Sequence, residues 1–106
     1  MAIAFDSGSA RFTNGATSST FSHTTAGSDR VLVVSVLFTG TSQPTGITYN
    51  GVSLTKVGTG QSFTSPSSYT ETFWYLIAPA TGANNIVVSA SASANCFSAA
   101  ASYTGV

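Results

Sequence analysis

Val31-Leu32-Val33-Val34-Ser35-Val36-Leu37-Phe38 is the stretch on which a fold for this chain turns. Eight residues at the strand rise of roughly 3.3 Å span about 26 Å, the length of a small sandwich. Their β-branched, near-continuous apolar character suits a strand covered on both faces, or one in the middle of a sandwich sheet. As a helix the run is too short to cross a bilayer, which takes about 20 apolar residues. It reads as the central core strand, spanning Arg30 to Thr39 with its flanks.

Around it the chain alternates short apolar runs with Gly, Pro, Asn and Ser, the all-β pattern, and no segment sustains the i, i+3, i+4, i+7 spacing of a helix. Ala2 to Phe5 is a short first strand, followed by a polar connection punctuated by Ser7-Gly8-Ser9 and Asn14-Gly15. Ser18 to Thr25 alternates weakly, with Phe21 and His23 on one face, and Ala26-Gly27-Ser28-Asp29 is a turn. Tyr49-Asn50-Gly51-Val52 predicts a tight type I′ hairpin, because Asn-Gly adopts two positive φ angles at little cost. Val52 and Leu54 should then share one face. Gly58 to Ser68 reads as the longest loop and carries Phe63. Tyr69 to Ile77 is the second major strand, with Phe73, Tyr75 and Ile77 on one face and Thr72, Trp74 and Leu76 on the other. Both faces are apolar near the centre, so this strand is central or covered by a neighbouring subunit. Ile86 to Ser91 points Ile86, Val88 and Ala90 inward, and Cys96 to Thr104 carries Phe97, Ala99, Ala101 and Tyr103 on one face.

About eight strands at regular spacing predict one domain, an antiparallel two-sheet β-sandwich. Jelly-roll and immunoglobulin-like topologies both fit. The paired cysteines around a Trp that mark the latter are missing, which favours the jelly roll.

Composition narrows the function. Of the 106 residues 42% are hydrophobic, enough for a core, and only 6% are charged. Ser and Thr make up roughly a third, so the surface is hydroxyl-rich rather than ionic. Net charge is zero and Arg11, Arg30 and Lys56 are the only cations. That argues against a nucleic-acid backbone or an anionic membrane as partner, since each needs several basic contacts. Low net charge suits association with copies of the same chain or a larger body, and equally an exported domain whose surface charge has drifted to neutral. Met1 to Asp6 lacks the basic region and apolar core of a signal peptide.

The chemistry-bearing residues are few. His23 is the one histidine, with Asp6 or Asp29 to orient it against a serine, but no G-x-S-x-G elbow accompanies it. It reads as a half-exposed strand residue hydrogen-bonded to its neighbours. Asp6, Asp29 and Glu71 are the only carboxylates, a thin set for a glycosidase pair. No zinc or calcium ligand spacing appears, so no metal or cofactor is expected. Cys96 reads as a buried structural thiol, and Asp29-Arg30 as a local turn pair.

Four segments together carry a resemblance: Asp29-Arg30-Val31-Leu32-Val33-Val34; Ile47-Thr48-Tyr49-Asn50-Gly51-Val52-Ser53-Leu54-Thr55-Lys56-Val57-Gly58; Phe73-Trp74-Tyr75-Leu76; and Ser102-Tyr103-Thr104-Gly105-Val106. In this order, over roughly residues 18 to 106, the chain resembles a widespread β-sandwich module of secreted bacterial proteins and tailed-phage structural proteins. The resemblance implies a sandwich used for display, adhesion or virion decoration, and it brings no catalytic residue. In that family the chain commonly runs past the Ser-Tyr-Thr-Gly-Val segment. A missing last strand would leave a sheet edge for a neighbouring chain to complete.

The expectation is therefore a non-enzymatic structural protein, acting by self-assembly or by docking on another virion or surface protein, in a virion or outside the cell. Thr72, Trp74 and Leu76, with Phe63 and Tyr69, form the candidate interaction surface. The alternative is a carbohydrate-binding or adhesive module whose platform is Tyr69, Trp74 and Phe63, rings with apolar bodies and polar handles.

Overall fold

The computed structural model describes residues 2–40, 43–63 and 68–106, with the backbone alone at 63. Seven strands make it up: β1 (Ala4–Thr25), β2 (Val31–Thr39), β3 (Pro44–Tyr49), β4 (Val52–Ser53), β5 (Thr55–Phe63), β6 (Tyr69–Ile77) and β7 (Gly82–Thr104). No helix occurs among the described residues. All pairings are antiparallel, in the order β4-β3-β7-β2-β6-β5 with β1 alongside β7. The sheet curls until it is nearly a closed barrel, with the core inside.

The core stretch sits as expected. β2 is bonded to β6 on one side and to β7 on the other, with Leu32, Val34, Val36 and Phe38 fully buried. Its other side is a different matter: Val33 is exposed and Leu37 half-buried. Among the described residues only one face of this doubly apolar strand is fully covered.

Two expected breaks are absent. The polar connection after Phe5 is strand throughout, because β1 follows β7 residue by residue from Ala4↔Thr104 to Thr25↔Gly82. Polar and Gly-rich residues are absorbed as register shifts between Phe5 and Ser7 and across Thr13, Ala16 and Ser18. At the bend the backbone N–H of Gly15 donates to Asn95 Oδ1 at 2.9 Å. The two C-terminal strands likewise merge into β7, whose first half borders β3 and whose second half borders β2. Seven strands thus replace about eight. β7 is paired on both sides, whereas β1, β4 and β5 each have one partner strand among the described residues.

The Asn50-Gly51 turn is as read: φ is 51° and 75°, and Thr48↔Ser53 and Tyr49↔Val52 pair across it. The arm beyond it breaks at Leu54, which turns inward while Val52 stays exposed, so the two do not share a face. The expected long loop from Gly58 is strand up to Phe63, with a register shift between Val57 and Gln61. Gly60 is required there: its φ is 80°, and a Cβ would come within 2.8 Å of Thr72 Cγ2 and 2.9 Å of the Glu71 carbonyl oxygen. The rest of that loop, residues 64–67, lies outside the described residues.

Candidate functional site

Strand alternation gives β6 two faces. Thr70, Thr72 and Trp74 point into the core, and Trp74 is only 7% exposed. Its indole Nε1–H donates to Thr72 Oγ1 at 2.9 Å, so its one polar atom is satisfied inside the protein. The candidate surface of Thr72, Trp74 and Leu76 is therefore corrected. Thr72 and Trp74 are core, Leu76 is half-buried and packs against it, and Tyr69 is half-buried. The side chain of Phe63 lies outside the described residues. Both faces of β6 are apolar in sequence, and the inward choice follows from pairing with β2, where Val34 opposite Trp74 and Val36 opposite Thr72 are buried.

The opposite face carries the exposed apolar surface. The register places its residues in four rows across β1, β7, β2, β6 and β5. The first is Phe5, Tyr103, Val31, Ile77; the second Gly8, Ala101, Val33, Tyr75, Thr55. The third is Ala10, Ala99, Ser35, Phe73, Val57; the fourth Phe12, Phe97, Leu37, Glu71, Gln61. Phe5 (65%), Ile77 (61%), Val57, Phe12, Phe73, Phe97, Tyr75 and Val33 are all exposed. Phe12 and Phe97 stack with ring centroids 4.6 Å apart, and Phe5 meets Tyr103 edge-on at 5.9 Å. A shallow hollow of about 490 Å³ opens among Ala10, Phe12, Leu37, Glu71, Phe97 and Ala99. Glu71 is the only charged residue in the four rows. The period-2 pattern had placed Phe73, Tyr75 and Ile77 together and Phe97 with Tyr103. What it lacked was the pairing that puts both groups on the same outer surface.

A second constellation joins the two ends of β1 to β7. Ser102 Oγ–H donates to Asp6 Oδ2 at 2.8 Å, which leaves Ser102 Oγ to accept from His23 Nε2–H at 2.9 Å. The remaining ring nitrogen, Nδ1, accepts from Ser9 Oγ–H at 2.7 Å. His23 is fully buried rather than half-exposed. Burial lowers its pKa from the ordinary 6.5, while the nearby Asp6 raises it. A serine hydroxyl facing an unprotonated ring nitrogen is one element of nucleophile activation. Here both nitrogens are engaged in a closed chain, the ring has no access to solvent, and neither of the two hollows described is lined by Ser9 or His23. The arrangement satisfies buried polar groups and ties the two ends of β1 together.

Other candidates resolve locally. Cys96 is buried and bonded to Ser98 Oγ at 3.3 Å, and burial pushes its thiol up, keeping it protonated and inert. Arg30 donates to the carbonyls of Pro79 and Gly27, which replaces the turn pair expected with Asp29. Among the described residues no group of three or more His, Cys, Asp or Glu gathers as metal ligands. A second, polar hollow of about 430 Å³ beside the hairpin turn is lined by Asn50, Asn84 and Asn85 and contains no aromatic ring.

Compared with known proteins, the chain matches no family model, no curated protein and no solved structure.

Proposed function

We propose that this protein is a non-enzymatic structural module that works by docking its apolar outer sheet face. The observation that carries this reading is the exposed surface spread over Phe5, Phe12, Phe73, Tyr75, Ile77 and Phe97. Contiguous apolar patches beyond a few hundred Å² are rare on monomers and mark interaction sites. The nearly uncharged surface and zero net charge suit assembly by burial rather than by ion pairing. Of the contexts that use such modules, a virion component (capsid decoration, spike or fibre) fits best, in keeping with the resemblance of the sequence to phage and secreted modules. Within this reading the curled sheet is a two-sheet sandwich of jelly-roll kind, in which β1 and β7 pass from one sheet to the other. The change of β7's partner from β3 to β2 along its length supports that description.

The carbohydrate-binding alternative, with Tyr69, Trp74 and Phe63 as platform, is less favoured because Trp74 is in the core and the Asn-lined hollow offers no ring for a sugar to stack on. Light scattering across a concentration series at about 0.05 M and about 1 M salt tests the assembly reading. Oligomers that persist at high salt are expected. A monomer at every concentration, or dissociation at high salt, overturns it.

A further inference from the structure

The rows of the outer face contain a relief that the assembly reading does not use. On β1 and β7 the middle two rows hold only small residues: Gly8, Ala10, Ala99 and Ala101. Across β2, at the same two levels, β6 raises Tyr75 and Phe73 and β5 adds Val57. The register makes β2 the midline of this asymmetry: Ser35 pairs with Ala99 on one side and Phe73 on the other, and Val33 with Ala101 and Tyr75.

We propose that the occupant of this face is a second copy of the chain, related by a two-fold axis running along β2. Such a rotation exchanges the two sides of the midline and keeps each residue at its own level. It seats Phe73 of each copy over Ala99 of the other, Tyr75 over Ala101, and Val57 over Ala10. Large residues then meet small ones through the two middle rows, the condition for interdigitated sheet packing, while the outer rows set Tyr103 against Ile77 and Phe97 against Glu71. A partner of unrelated relief would have no reason to match this order.

Area and charge agree with it. Eight exposed large side chains, with aromatic areas of about 200 Å² each, expose about 700 Å² in total, close to the roughly 800 Å² per partner of a stable interface. Charge is sparse, limited to Glu71 in the fourth row and Arg11 beside it at the hollow, and a neutral chain does not repel its copy. The pairing also covers the second apolar face of β2, which the monomer leaves open.

The inference rests on the assembly reading and is tested by exchanging knob and hole. Residues 73 and 99 both flank Ser35, so within one chain they stand two strand spacings apart, about 10 Å, and scarcely touch. Ala99→Phe should weaken the dimer about tenfold or more by sedimentation equilibrium, as should Phe73→Ala. The doubly substituted F73A/A99F chain should recover it, because its knobs and holes are merely swapped. Ala99→Lys is the second single variant. Circular dichroism confirms that each is folded, which their outer positions favour. If the wild type assembles but the single variants associate unchanged, or the double variant stays dissociated, this pairing is overturned while assembly through another surface stands. A wild type that is monomeric throughout overturns both.

Discussion

The two faces of β6 are equally apolar in sequence and opposite in fate. Inward, Thr72 and Trp74 share a hydrogen bond and lie beside the buried Val36 and Val34 of β2; outward, Phe73 and Tyr75 lie in the open one residue away. Hydrophobicity does not separate them. The difference is what stands opposite: the inner face joins one core cluster with Phe21, Ile47, Tyr49, Ile86 and Val88, and the outer face has no second layer among the described residues. An apolar strand face is core only if the topology delivers a second layer to cover it.

The largest effect that could break this comparison is in the packing itself. Phe38→Ala, on the inner face of β2, should cost about 3–5 kcal/mol in denaturant unfolding, from lost burial and the cavity left behind. Phe73→Ala on the outer face should change the unfolding of the monomer by less than about 1 kcal/mol. Equal losses at the two sites would show that the outer face is buried in the folded chain. Thr72→Val comes next, at about 1–3 kcal/mol, since it keeps the shape but strands the Trp74 indole N–H without an acceptor. Thr72→Ser should be milder than Thr72→Val, because its hydroxyl still accepts. A valine as stable as wild type would mean that the bond contributes nothing.

The smallest effect sharpens the polar part of the inner face. Burial holds the folded-state pKa of His23 below 6.5, so the unfolded chain takes up the proton first as pH falls. Stability from this group is complete above pH 6.5 and declines below it, until the folded-state ring also protonates. Urea midpoints should therefore drop on acidification from neutral pH, and His23→Gln should flatten that slope. A midpoint that rises towards acid would contradict a buried neutral ring.

Much of this was legible before the structure. The Asn50-Gly51 turn, the inward Ile86 and Val88, the buried Cys96 and the central position of β2 follow from local chemistry that holds wherever the segments lie. The breaks expected within β1 and β7 did not appear. Gly8, Asn14 and Gly15 favour turns locally, yet a long partner strand satisfies the backbone through bulges instead. The Asp6, Ser9, His23 and Ser102 chain was out of reach in the same way, for it joins residues up to 96 positions apart.

By itself the sequence determined that the protein is all-β, that its strands alternate, and which side chains share a face wherever the strand runs unbroken, because a period of two is a property of the extended backbone. Only the tertiary structure decided which face is inside. That choice belongs to long-range pairing: β7 draws β1, β2 and β3 around one interior, which takes in Trp74 and leaves Phe73 exposed.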